Sequence, residues 1–168
     1  MRISLALFPI LLSGCVAAPR PAPPDPAAPR FDPIAFFTGP TEGEGTIRKI
    51  FSGAGGVRVR GTGRVEPDGT LVLDQIVEEA GAAPRRRWWR MRETAPGLYS
   101  GSLSDAERNV TGEGSGNRLR LRFRMRGGLD VEQWLTLGAD GRMVFNSMTV
   151  RKFGIRVAAV TEIIRRTE

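Results

Sequence analysis

The sequence predicts an all-β protein: an antiparallel, up-and-down barrel of about eight to ten strands, preceded by one short helical turn. Three observations carry this. Apolar and polar residues alternate with period two through most of the chain from residue 44 onward, as half-buried strands require. Clusters of Gly, Pro and Asp punctuate the alternation at short intervals, as hairpin turns do. Helical signals are confined to Asp32-Pro-Ile-Ala-Phe-Phe37. Successive hairpins favour closure, because a closed sheet has no exposed edges.

The elements follow in order. In Asp32–Phe37 the aspartate is placed to cap and the proline to occupy the first turn. Val57-Arg-Val59-Arg60 is a strand, Glu66-Pro-Asp-Gly69 a turn, and residues 70–77 the returning strand. Residues 85–92, with Trp88 and Trp89, turn at Ala95-Pro-Gly97 into residues 98–103. Gly112-Glu-Gly-Ser-Gly-Asn117 reads as a flexible hairpin turn rather than a phosphate-cradling loop, since no helix follows it. Residues 117–126 and 131–137 pair around Gly127-Gly128; Ala139-Asp-Gly141 then turns into residues 143–152. After Phe153-Gly154 a last strand covers residues 156–166.

The N-terminus carries an address. Arg2 precedes an apolar run over residues 3–12, broken only by Ser4 and Pro9. That run is too short to span a bilayer, which takes about 20 residues, and matches the core of an export signal. It ends in Leu12-Ser13-Gly14-Cys15, which resembles a bacterial lipobox and contains the chain's one cysteine. The motif implies cleavage before Cys15, acylation of its thiol and a membrane anchor in the cell envelope. Two or more acyl chains hold stably, at about 0.8 kcal/mol per buried methylene. Val16 follows, not the aspartate that retains many lipoproteins in the inner membrane, so the expected place is the outer membrane, facing the periplasm. Residues 1–14 are then signal, 15–30 a lipidated cysteine with a proline-rich tether, and 31–168 the barrel domain. With six prolines, residues 16–30 should run extended and lift the barrel some 40–50 Å from the membrane, at about 3.1 Å per residue.

Composition excludes more than it selects. The chain has no histidine, which removes Ser-His-Asp and Cys-His catalysis and the usual zinc sites. Acylation of Cys15 leaves no thiol for a disulfide, no acidic loop has calcium-ligand spacing, and no cofactor is expected. Ser147 and Lys152 are five residues apart on a strand and cannot form a dyad. The chain reads as a non-enzyme. Its formal charge is +7, and 23 of its 25 basic residues are arginine. For an exported, tethered protein this basicity points to phosphate-bearing lipid or saccharide rather than nucleic acid.

The basic residues are most regular in Arg118-Leu-Arg-Leu-Arg-Phe-Arg-Met-Arg126. Arg118, Arg120, Arg122, Arg124 and Arg126 share one face, spaced about 6.6 Å apart. Leu119, Leu121, Phe123 and Met125 share the other. Unpaired ions cost several kcal/mol each to bury, so the arginines must face out. Cross-strand acids such as Glu132 can pair with them, and the row is also a candidate contact for anionic lipid or lipopolysaccharide.

Arg87-Trp88, Tyr99-Ser-Gly101, Gly112, Gly116-Asn117, Trp134 and Asn146-Ser-Met148…Lys152-Phe-Gly154 occur in that order, after Asp32-Pro…Phe36-Phe37-x-Gly39. The series resembles bacterial lipoproteins of domain-of-unknown-function family 3833, and implies a lipocalin-like barrel and an envelope location with no established activity. This chain has Glu132-Gln133 where that family usually has an acidic pair. A barrel of this kind either fills with side chains or holds one small apolar ligand. The expectation is a barrel that binds or carries a lipid, fatty acid or similar amphiphile. Its candidate lining is Leu119, Leu121, Phe123 and Met125, with Trp134 and Asn146 as polar-edged contacts. The alternative is a filled scaffold or assembly factor acting through its arginine-rich surface.

Overall fold

Seven of the nine connections between strands carry a glycine at positive φ, a conformation that other residues adopt reluctantly, and an eighth leads into one, Gly53. Those turns fold the chain into ten strands: β1 Gly39–Lys49, β2 Gly53–Val65, β3 Leu71–Glu79, β4 Arg85–Ala95, β5 Leu98–Leu103, β6 Val110–Ser115, β7 Arg118–Met125, β8 Leu129–Leu137, β9 Met143–Lys152 and β10 Ile155–Arg166. Each strand pairs antiparallel with its chain neighbours, and β1 pairs with β10 from Thr41–Arg166 to Lys49–Ala158 to close the barrel. The computed structural model describes residues 16–167. The signal segment and Cys15 lie outside the described residues.

The predicted strands are all present, with two differences of extent. Strand β1 begins at Gly39, ahead of the alternation that starts at residue 44. The glycine-rich stretch is not a loop: residues 112–115 belong to β6, and only Gly116-Asn117 turn. Gly112 and Gly114 face the interior without side chains, so the stretch shows no apolar period to read. A Cβ on Gly112 would meet Leu121 and Tyr99 at 3.0 Å, so the barrel is narrow there.

One end is plugged. Helix α1, Pro33–Phe37, is capped by Asp32, whose Oδ1 accepts from Ile34 N at 2.9 Å and Ala35 N at 3.0 Å. Five residues are too few for a stable isolated helix, so burial holds it. Phe31, Phe36 and Phe37 enter the core in edge-to-face contact. The Phe37 carbonyl lies so close to β2 that a Cβ on Gly63 would fall 1.8 Å from its oxygen. Toward the other end Trp89 and Phe123 meet edge to face at 5.5 Å. This far end is bounded by the β1–β2, β3–β4, β5–β6, β7–β8 and β9–β10 connections.

Residues 16–30 do not stand off as a spacer. They run extended, as the prolines dictate, but against the barrel wall. The carbonyl of Val16 accepts from Arg156 Nη1 at 2.6 Å, at the far end of β10. The carbonyl of Ala22 accepts from Thr136 Oγ1 at 3.5 Å, and Asp25 N donates to Asn117 Oδ1 at 3.2 Å near the plugged end. Phe31 N then donates to Gly116 O at 2.9 Å, and the chain enters the barrel. Composition dictates the extended backbone; Arg156 of β10, Thr136 of β8 and the Gly116-Asn117 turn supply the surface it follows.

Gly63→Ala should therefore lower stability by about 1–3 kcal/mol in urea denaturation, because the helical plug must move. Gly56→Ala, where a Cβ meets nothing within 4 Å, should stay within about 0.5 kcal/mol of the parent.

Candidate functional site

Alternation sends every second residue of each strand inward, and most of these residues are apolar. Six are not. Thr41 of β1, Gln75 of β3, Arg87 of β4, Gln133 of β8, Asn146 of β9 and Glu162 of β10 line one interior cavity of about 60 Å³. Register assembles them: Gln75 lies opposite Arg87, and Asn146 opposite Glu162.

The polar groups form two sets. On one wall Gln133 Nε2 donates to Asn146 Oδ1 at 3.0 Å, and Asn146 Nδ2 donates to Glu162 Oε2 at 2.7 Å. On the other, Gln75 Oε1 accepts from Arg87 Nε at 3.0 Å and from Trp89 Nε1 at 2.9 Å. The Arg87 guanidinium also lies 5.6 Å from the Trp89 ring centroid. Gln133 Oε1 is buried and has no partner.

Two opposite charges thus share the interior without an ion pair between them. Burial raises the Glu162 pKa, against the opposing hydrogen bond from Asn146 and the charge of Arg87. Burial lowers the Arg87 pKa to about 10, helped by the like charge of Arg85 and opposed by Glu162 and Asp105. Arg87 therefore stays cationic at neutral pH. Room for the carboxyl is built into β1, since a Cβ on Gly43 would fall 2.0 Å from Glu162 Oε1.

The rest of the cavity wall is apolar, with Leu71, Leu73, Met91, Leu119, Leu121 and Ile164 among its residues. At about 15 Å³ per water the space admits some four waters, and it is well below the roughly 150 Å³ that accepts benzene. Gln75 and Arg87 keep partial exposure, so the cavity communicates with solvent past them. Among the described residues no three His, Cys, Asp or Glu side chains converge to hold a metal.

Of the candidate lining residues, Leu119, Leu121 and Asn146 are at the cavity. Phe123 is buried but packs on Trp89 beyond it, and Met125 is partly buried at the far end of β7, so neither lines it. Trp134 requires a correction: it is on the outer wall. Gln133 and Leu135 take the inward phase of β8, which leaves Trp134 pointing out beneath Arg118, 4.2 Å from its centroid, and Arg120, at 5.2 Å.

The arginines of β7 do face outward, and acids answer most of them. Arg120 Nε donates to Glu132 Oε1 at 2.6 Å, Arg122 lies 3.7 Å from Glu113, and Arg124 lies 3.5 Å from both Glu107 and Asp130. Arg126 falls just past the end of the strand and is exposed. Gln75, Arg87, Gln133 and Glu162 were not among the predicted site residues. Their signal is a polar residue in the inward phase of an apolar strand, as in Val131-x-Gln133-x-Leu135 and Val160-x-Glu162-x-Ile164.

No curated protein matches this sequence. Solved structures share the fold. An S-type phycobiliprotein lyase from Guillardia theta superposes with a TM-score of 0.64 at 7% identity, over 80% of this chain and 90% of the other. A protein of unknown function of the DUF3598 family from Nostoc punctiforme gives 0.62 at 10% identity. It is matched over 83% of this chain, which spans 50% of its length. At such identities the likeness carries the barrel and no activity. The family model described as "Protein of unknown function (DUF3833)" matches residues 9–166, and the chain belongs to that family.

Proposed function

We propose that this protein is a non-enzymatic, lipid-anchored binding barrel of the bacterial envelope, facing the periplasm from the outer membrane. Its interior holds the polar end of a small amphiphile. The observation that carries the reading is the separation of Arg87 and Glu162. Glu162 is buried and Arg87 keeps only partial exposure, each is pushed toward its neutral form, and neither is paired with the other. Buried charges without good partners cost stability, and perturbed titratable groups in a cavity mark functional sites. A ligand bearing a carboxylate or similar acceptor would meet Arg87, and a hydroxyl or amine would satisfy Gln133 Oε1. Leucines and Trp89 would cover its apolar part.

Size bounds the ligand. A cavity of about 60 Å³ cannot enclose a long acyl chain, so the ligand is either short or leaves its tail outside. The anchor is supported by Leu12-Ser13-Gly14-Cys15 alone. The scaffold alternative draws little from the arginine row, because Glu107, Glu113, Asp130 and Glu132 compensate most of it.

Titration with short- and medium-chain carboxylic acids, followed by tryptophan fluorescence, should give saturable binding. Arg87→Gln should weaken it by at least about tenfold, since a charge-assisted hydrogen bond contributes about 1.5–3 kcal/mol. Trp134→Phe, on the outer wall, should leave it unchanged. Absence of saturable binding, or equal loss in both variants, would contradict the reading.

Glu162 also makes stability depend on pH. Its folded pKa is raised, so the folded state holds more protons, and stability falls as pH rises from the unfolded value of about 4.3 through the folded one. Glu162→Gln should remove that slope. It should stabilise the protein at neutral pH by roughly 1.4 kcal/mol per unit of pKa shift, measured by urea denaturation across pH 4–8.

A further inference from the structure

At the far end of the barrel two connections carry aromatic side chains into solvent. Phe51, between β1 and β2, is 96% exposed; Phe153, between β9 and β10, is 88% exposed, and Ile155 beside it is 63% exposed. The two tips belong together, because β1 and β10 are paired and Ile50 N donates to Val157 O at 3.0 Å. Phe153 has φ +51°, and among the described residues it is the one non-glycine at positive φ. The left-handed region is unfavourable for a bulky side chain, and nothing within the fold covers the ring in return. A phenylalanine held there is suited to a contact outside the molecule.

Charge at this end has one sign to spare. Its acids are already engaged: Glu79 with Lys49, Asp105 with Arg85, and Glu107 and Asp130 with Arg124. Arg48, Arg86, Arg108, Arg126 and Lys152 are exposed around the same rim, with no carboxylate at ion-pair distance among the described residues. Lys152 sits 5.8 Å from the Phe153 centroid. Aromatic tips ringed by unpaired cations complement an anionic bilayer surface, where rings enter the interface and basic groups meet phosphates.

The path of the N-terminal segment gives the same direction. Val16 is buried against the far end of β10, held by Arg156, and from there the chain leads away to the plugged end. In the sequence Cys15 immediately precedes Val16. We propose that this end of the barrel docks on the membrane, with Phe51, Phe153 and Ile155 inserted into the interface of an anionic leaflet. The aromatic and basic rim carries the proposal; its agreement with the anchor rests on the reading of Cys15 given above. Docked this way, the barrel lies against the bilayer rather than suspended from it. Arg87, the third residue of β4 from this rim, then faces the source of amphiphiles.

The full chain, purified from the envelope and reconstituted in vesicles of phosphatidylethanolamine and phosphatidylglycerol, tests this. Mass spectrometry of the N-terminus reports whether Cys15 is acylated. Nitroxide labels on Phe51→Cys and Phe153→Cys, and on Val65→Cys and Leu98→Cys at the plugged end, report depth by their access to oxygen and to an aqueous quencher. The expected result is a several-fold higher oxygen-to-quencher ratio at 51 and 153 than at 65 and 98. An acylated chain with all four labels in water, or with 65 and 98 immersed, overturns the docking and leaves the anchor standing. Labels at 51 and 153 that are shielded by a second copy of the chain, not by lipid, also overturn it. An unacylated chain that still immerses 51 and 153 supports docking and removes the anchor.

Discussion

In a closed barrel each strand residue points either into the lumen or out of it, and backbone pairing fixes which. That parity is the constraint on which the rest of this structure depends. It puts Leu119, Leu121 and Phe123 inside and Arg118, Arg120, Arg122 and Arg124 outside with no further instruction. It turns Trp134 outward between Gln133 and Leu135. It also brings polar residues from five strands and one threonine into a single cavity, because register aligns their inward phases. A slip of one residue in β10 would exchange Glu162 for its neighbours and take from Arg87 the carboxylate that shares its cavity.

The interior is not optimised for stability. Surface pairs such as Arg58–Glu44 and Arg64–Asp74 are screened by solvent and add little, so the stability of the fold comes from its apolar core. Against that core, Arg87 and Glu162 are a standing cost, and Gln133 Oε1 is a buried acceptor without a donor. Ordered waters can fill the space, and a ligand of matching polarity can do so with better geometry. Gly43 shows that the arrangement is accommodated by its surroundings: β1 gives up a side chain so that the Glu162 carboxyl can lean over it.

What could be read from the sequence follows from the same parity. Where large apolar and polar residues alternate, as in β7 and in Val57–Arg60 of β2, strand and face are both legible. Where the inward positions are glycine, as in β6 and the start of β1, the period vanishes, and a strand is read as a loop or missed. The candidate site was half legible. Leu119, Leu121 and Asn146 are candidates from the sequence and line the cavity, whereas Gln75, Arg87, Gln133 and Glu162 line it too and escape a reading that assigns polar residues to the solvent face. Only the surrounding phase of each strand places them inside. The prolines of residues 16–30 specified an extended backbone, while the hydrogen-bonding surface it follows is made by distant strands.

Together these features describe a barrel whose cavity is small, internally charged and reached past Gln75 and Arg87. The central claim is that this interior is kept polar for a ligand. Native mass spectrometry of the gently purified chain, followed by extraction and identification of what accompanies it, tests that claim most directly. The account predicts a stoichiometric small amphiphile, lost in Arg87→Gln and absent from an unrelated periplasmic protein. A bare mass in the parent chain, with no uptake of added amphiphiles, would contradict it.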